Sequence, residues 1–373
     1  LSVGPVGTGT LTVSGGGQLT TTPNSILTTP TASITNGKVT VSGAGSQWKI
    51  TGAYNNVPLA MGSTSQTSEL NVLAGGTVLI DSTASSFLSG DARIANTANS
   101  KAAITIDGVG SSFTTPYRLY LGNANNSTAT LTVSGGGALN TGYTNISSAS
   151  DATATTADTV TVTGAGSVWT ISDTLGSGPS DLQGLTIGGA GKGVLTIADG
   201  GNVKVNGGTG TVSIGALAGS SGTLNIGAAA ASPAAAPGTL EASTVIFSST
   251  AAAPQSVNFN HTSSSYVFAP KLDGNGPDAV NIIAGTTIFT ADDTYTAPTT
   301  ISSVATLQLG NGGATGGVSG NVTNDGTLIF NRSSDFGLGY GGVISGSGQV
   351  IKNGSGTITL TGANTYSGGT TIN

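Results

Sequence analysis

In LTVSGGGQLTT, residues 11–21, Leu11, Val13 and Leu19 alternate with Thr12, Ser14 and Thr20. A period of two puts apolar side chains on one face of an extended chain and polar ones on the other. The glycine triplet at 15–17 admits backbone angles closed to other residues, so two short strands meet at a corner. Residues 131–141 read LTVSGGGALNT, with nine of the eleven letters unchanged at an offset of 120. Looser copies are ELNVLAGGTVLI (69–80), VLTIADGGNVKV (194–205) and GTLNIGA (222–228). A second module alternates with the first: VTVSGAGSQWKIT (39–51), AITIDGVGSSFTT (103–115) and VTVTGAGSVWTIS (160–172). A third precedes the first: PLAMG (58–62), LYLG (119–122), LTIG (185–188) and VSIG (212–215). The first two kinds begin at 11, 39, 70, 104, 131, 160 and 195, and no stretch carries a helical period.

Short strands hinged by glycine hide their Leu and Val only when one coil stacks on another, which predicts an all-β solenoid. At roughly 20–25 residues per coil and about 4.8 Å per rung, about 15–18 coils and a rod of ~70–85 Å are expected. Three stretches are expected: coils over 1–227, an Ala/Pro-rich irregular connector over 228–256, and a second kind of coil over 257–373. In that last stretch GTTIFTADDTYTAPTTIS (285–302) aligns with GTITLTGANTYSGGTTIN (356–373) at an offset of 71.

GTITLTGANTYSGGTTIN resembles the autotransporter-associated β-strand repeat of Gram-negative passenger domains. The segments VNFNHTSSSYVFAPKLDG (257–274), LQLGNGGATGGVSGNVTNDGTLIFNRS (307–333) and GGVISGSGQVIKNGSGTITL (341–360) are similar to the same family. The likeness is specific over 257–373 and looser before it. It implies a right-handed, single-stranded parallel β-helix, type V secretion, and display on the outer face of the outer membrane or release from it. Members of the family commonly serve adhesion, self-aggregation or biofilm formation, often in virulence, while some carry proteases or toxins, and family membership does not choose among these. Contact with the membrane would run only through a C-terminal barrel absent from this chain, which is expected to be an excised fragment.

Composition narrows the functions further. Lys, Arg, Asp and Glu make only 7% of the 373 residues against 36% hydrophobic, with a net charge of −6. Folding without a charged surface is expected, so Thr, Ser, Asn and Gly must face water. Ten scattered basic residues do not suit a phosphate backbone, so nucleic acid is not expected as a partner. With no cysteine, disulfides, thiol catalysis and cysteine metal sites are ruled out.

No catalytic, cofactor-binding or metal residues are assigned. Asp292-Asp293, the adjacent acidic pair, would point to opposite faces on a strand. Its repeat equivalent is Ala363-Asn364, so it reads as a polar turn. Asp199 precedes two glycines at a corner. His261, the lone histidine, has no nucleophile motif beside it and reads as structural. Trp48, Phe113 and Trp169 recur at one register, which argues for packing. Tyr54, Tyr117, Arg118 and Tyr143 interrupt the pattern, and binding residues tend to lie on such segments, with ordinary surface tyrosines the bland alternative. The sequon Asn126-Ser127-Thr128 reads as incidental. Stacked outward Thr and Asn would form ladders able to meet a glycan or a copy of the chain without a charge penalty.

The sequence thus predicts an adhesin segment without enzymatic activity. Its expected partners are a host or environmental ligand, protein or glycan, or copies of itself. An inert stalk is the alternative, ahead of a polysaccharide-acting enzyme.

Overall fold

A computed structural model describes residues 1–23, 30–52, 57–82, 91–149, 156–172, 184–248, 253–275, 279–335 and 339–373. Every ladder between strands among them is parallel, and the two antiparallel contacts, Ser63 with Lys101 and Ala198 with Pro237, are isolated bridges. The chain climbs as a parallel β-helix, and in its first part each coil lays one strand in each of three ladders. Leu59–Met61, Ser68–Leu73 and Thr77–Ser82 make one such coil.

The first ladder stacks ten short strands, from Ser2–Val3 to Lys271–Gly274. These are the LYLG-type modules: Leu119 and Leu121 are fully buried while Tyr120 between them faces out. The second ladder is the spine. It runs from Gly9–Ser14 through Gly37–Ser42, Ser68–Leu73 and their successors to Ile344–Ser345. Leu11, Val39, Leu70, Ile104, Leu131, Val160 and Leu195 occupy one register on it. The two alternating modules are therefore the same place in successive coils. The spine has thirteen rungs, fewer than the sequence suggested, because coils in the first part consume more residues than assumed. At about 4.8 Å per rung the column is ~60 Å long.

The alternation has a physical cause. In the SGGG-type corner the Gly17 N–H bonds the Ser14 carbonyl, and Gly15 and Gly16 both take positive φ, 62° and 82°. In the GAGS corner the Ser46 N–H bonds Gly43, and Gly43 and Gly45 take positive φ. The two turn types interlock. Gly16 donates its N–H to Ser46 Oγ of the next coil at 3.0 Å, Gly75 to Ser111 Oγ at 2.9 Å and Gly136 to Ser167 Oγ at 3.0 Å. Each serine is buried, so its hydroxyl satisfies a backbone donor that would otherwise be orphaned. Two coils form one structural unit.

The aromatic residues obey the same pairing. Trp48 and Trp169 are fully buried in the third ladder. The Trp48 indole donates to Thr21 Oγ1 of the coil below at 3.3 Å, and Trp169 to Thr141 Oγ1 at 3.0 Å. Beneath Phe113 the register places Val78, and Ile80 stands where Thr21 and Thr141 stand below the tryptophans. An indole N–H there would meet hydrocarbon, and phenylalanine has none to satisfy.

The Ala/Pro-rich stretch departs from expectation. Thr239–Glu241 continues the third ladder and Thr244–Phe247 the first, so coils run through 228–256. Among the described residues of this stretch, 228–238 forms an excursion that packs back on the column. Asp199 and Gly200 donate their N–H groups to Ala236 and Pro237 carbonyls at 2.8 and 3.1 Å, taking the place of the corner serine. Asn260 Nδ2 ties the excursion from the other side through Ala229 and Ser232 carbonyls.

Beyond it the coil changes. Ala279–Phe289 bends through the corner as one eleven-residue strand, and Phe259, Phe268 and Phe289 fill the core edge-on, with ring centroids 5.0 and 5.4 Å from Phe259. The 71-residue offset is not a whole number of these coils. Asp293 sits beside the first ladder, at Leu272, whereas Asn364 sits beside the second, at Ile344. The local unit is nevertheless kept. Asp293 Oδ1 accepts the Leu272 N–H at 2.7 Å and Asn364 Oδ1 accepts the Ile344 N–H at 2.8 Å. Tyr295 meets Thr299 at 2.6 Å as Tyr366 meets Thr370 at 2.7 Å. The repeat is a strand-entry unit that works at more than one side of the coil.

Two predictions follow from these contacts. Thr141→Val strands a buried indole N–H and is expected to cost about 1–3 kcal/mol in urea denaturation; in a Trp169→Phe background the same change should cost about 1 kcal/mol less. Strict additivity would refute the bond. Burial pushes the Asp293 carboxyl from 3.8 up to about 8, with Asp292 adding to the shift. A raised folded pKa stabilises through the protonated form, fully below the unfolded value and progressively less as pH climbs through about 8. Asp293→Asn, the residue of the sister repeat, is expected to gain about 1–3 kcal/mol near pH 9 and to flatten the loss of melting temperature between about pH 4 and 8. An unchanged pH profile would contradict the assignment.

Candidate binding surface

Register turns each outward position into a column along the rod. On the spine the central column reads Thr12, Thr40, Asn71, Thr105, Thr132, Thr161, Thr196, Asn225, Asn258, Asn281, Thr300, Thr323 and Ser345. None is charged. The stretch from Thr12 to Thr196 is exposed or half-buried, whereas Asn225 and Asn258 are buried. Asn258 donates to Asn225 and Asn281 to Asn258, both at 2.8 Å, forming an amide ladder along the axis. At about 4.8 Å per rung the open part is a neutral strip of ~30 Å.

The first ladder carries a different patch. Ala92 pairs with Leu119 and Leu119 with Thr144, so Asp91, Arg118 and Tyr143 stack in one column. Arg93, Tyr120 and Asn145 stack in the next. The Asp91 side chain is 1% exposed and accepts from Arg118 Nε at 3.1 Å and from Arg93 Nη2 at 3.4 Å. Burial raises its carboxyl pKa, and the two guanidiniums only partly oppose this. Arg118 Nη1 also donates to Tyr120 Oη at 3.2 Å. Tyr120 and Tyr143 meet edge-to-face at 6.3 Å. Tyr143 donates to Thr186 Oγ1 at 3.1 Å, and burial pushes its hydroxyl up to about 12.

A third feature is a cleft of about 430 Å3 beside Asp292, Asp293, Val318 and Arg332. Asp292 is half-exposed and pairs with Arg332 at 2.8 Å, while Asp293 is buried beneath it. The pair therefore points to opposite sides.

The other singled-out residues lie as follows. Arg118 and Tyr143 come together in the patch; Tyr117 is half-buried on the loop before it; Tyr54 lies outside the described residues. His261 is fully buried, bonds Thr287 Oγ1 at 2.9 Å and lies 5.0 Å from the Tyr266 ring. Burial lowers its pKa to about 4, so it stays neutral. Asp199 takes φ 50° at its corner and accepts from Thr163. Asn126 is exposed with φ 53° and donates to Asn99. Asp91, Arg93 and Tyr120 were not singled out from sequence. Aligning DARIA (91–95) with RLYLG (118–122) as one first-ladder module would have stacked them.

The model of the passenger-associated transport repeat matches residues 284–309 and 350–373, the two copies of the strand-entry unit and the strands around them. A stretch of 65 residues is 49% identical to the Adhesin BmaC autotransporter of Brucella suis biovar 1 (strain 1330), covering 17% of this chain and 2% of that protein. The chain thus spans a small fraction of the curated relative it matches. Repeats of this family, carried on the coils of a parallel β-helix, support an autotransporter passenger domain.

Proposed function

We propose that this segment is adhesive, attaching the cell that displays it to other cells or surfaces and to copies of itself. The observation that carries the reading is the open, uncharged strip from Thr12 to Thr196. In a chain with net charge −6, copies that meet over an uncharged face do so without bringing like charges into the contact. Hydroxyls and amides repeating at rung spacing offer donors and acceptors to an identical strip or to a polyhydroxylated surface. Charge beside the strip is neutralised by the Lys38–Glu69 pair, and charge on the third ladder by Lys49–Asp81 and Lys204–Glu241. The passenger family and the adhesin relative support surface display or release as the setting.

Display of the segment on a non-adherent bacterium is expected to produce clumping or attachment, scored by settling and by retention on abiotic and cell-coated surfaces. Thr132→Lys with Thr161→Lys puts two like charges at the middle of the strip. The double variant should fold as before and lose clumping at low salt. Wild-type cells that neither clump nor attach would refute the reading in favour of an inert stalk, and clumping untouched by the double variant would move it off the strip.

A further inference from the structure

Among the described residues, five ion pairs join one cation to one carboxylate: Lys38–Glu69, Lys49–Asp81, Lys204–Glu241, Lys271–Asp273 and Arg332–Asp292. Asp91 alone is shared, by Arg93 and Arg118. The first-ladder patch therefore carries an unneutralised positive charge on a chain whose net charge is −6.

The two guanidiniums are held and not spent. Arg93 uses Nη2, and Arg118 uses Nε and Nη1, within hydrogen bonds to Asp91 and Tyr120. Each guanidinium has five N–H donors, so donors remain at both. Their side chains are 30% and 26% exposed. The single Asp91 carboxylate offsets one of the two guanidinium charges and lies beneath them, while the guanidiniums reach solvent. The fixed, half-open guanidiniums suit a planar carboxylate, which they can receive through paired N–H donors.

Beside them lies Tyr120, half-buried, buttressed by Tyr143 from the next rung and by the Arg118 guanidinium 5.9 Å from its ring centre. Such a ring offers an apolar body with a polar tip. The patch covers three rungs by two outward positions, roughly 10 Å by 7 Å. That is the size of one or two sugar rings and far below the ~800 Å² per partner of a stable protein interface. Its neighbours in the same column, Ala60 and Ser33 on one side and Thr186 and Ser213 on the other, are small and uncharged, so among the described residues of that column no further anchor extends it.

We propose that Arg93, Arg118 and Tyr120 form a subsite for a carboxylated sugar of an acidic glycan, the carboxylate on the guanidiniums and the ring against the tyrosine. The inference deepens the adhesive reading and rests on it. It adds a ligand class and a place distinct from the neutral strip. Asp91 and Tyr143 are positioning residues: one fixes the guanidiniums, the other supports Tyr120.

The test uses the purified 373-residue chain on biosensor surfaces bearing polygalacturonate, polysialic acid, neutral dextran or poly-L-glutamate. The chain should be retained by polygalacturonate or polysialic acid, which separates uronate from sialate sources, and not by dextran. Arg118→Gln and Tyr120→Ser should each weaken that retention at least about tenfold, and added salt should weaken the wild type. Arg118→Lys, which keeps the charge without the fork, should fall between. Unchanged melting of Tyr120→Ser, an outward-facing position, guards against reading lost folding as lost binding. Equal retention on dextran, or no effect of Arg118→Gln, would overturn the subsite. Stronger retention on poly-L-glutamate that ignores Tyr120→Ser would assign the patch to an acidic protein instead. Displayed wild-type cells that adhere while the purified chain ignores both acidic glycans would sink this inference alone. Glycan retention by a chain whose displayed form never adheres would sink the adhesive reading and leave the subsite standing.

Discussion

Parallel backbone pairing between successive coils is the constraint on which the rest of the molecule depends. A single strand, here two to eleven residues long, cannot satisfy its own amide groups, so the coil above and the coil below must do it. Once that ladder is in place, every side chain is repeated at rung spacing. Inward positions become one continuous core of Val, Leu, Ile and Phe, and outward positions become columns. Corners must then leave one ladder and enter the next within a few residues, which is why glycine or another residue at positive φ recurs there. The alternation of SGGG and GAGS corners goes further, since a serine hydroxyl of one coil completes the turn of its neighbour. Self-similarity in the sequence is the trace of that interlock.

Much of this was legible in the letters. The period of two, the glycine corners and the common register of residues 11, 39, 70, 104, 131, 160 and 195 lead directly to the spine. What was not legible depends on contacts between residues far apart in sequence. That the two corner types interlock, and so must alternate, follows only from seeing Gly16 meet Ser46. The Ala/Pro-rich stretch looked like a connector because its role is filled by the carbonyls of Ala236 and Pro237, and backbone acceptors leave no mark on residue type. The 71-residue repeat suggested equal places in the coil, yet Asp293 and Asn364 lie beside different ladders. Its letters encode a hydrogen bond and a Tyr–Thr contact, and neither depends on which side of the coil holds them.

The candidate surface was half legible for a related reason. Arg118 and Tyr143 stood out because they interrupt a loop pattern, whereas Arg93 and Tyr120 sit inside regular three-residue strands and look like ordinary outward positions. Only the stacking of ARI under LYL brings them together. The buried Asp91 converts that coincidence of register into a fixed arrangement, because a carboxylate out of water holds its two cations in place. Neutral strip and charged patch thus lie on different ladders of one rod, and a passenger segment of this kind can present more than one contact chemistry along its length. Placing both on a stiff column keeps their spacing independent of the residues between them.

That account stands on the existence of one unbroken column, and small-angle X-ray scattering of the purified chain tests it most directly. The account predicts a single elongated particle about 60 Å along its axis, with a pair-distance distribution of one skewed peak. Two resolved maxima, the mark of separate lobes joined at the Ala/Pro-rich stretch, would contradict it.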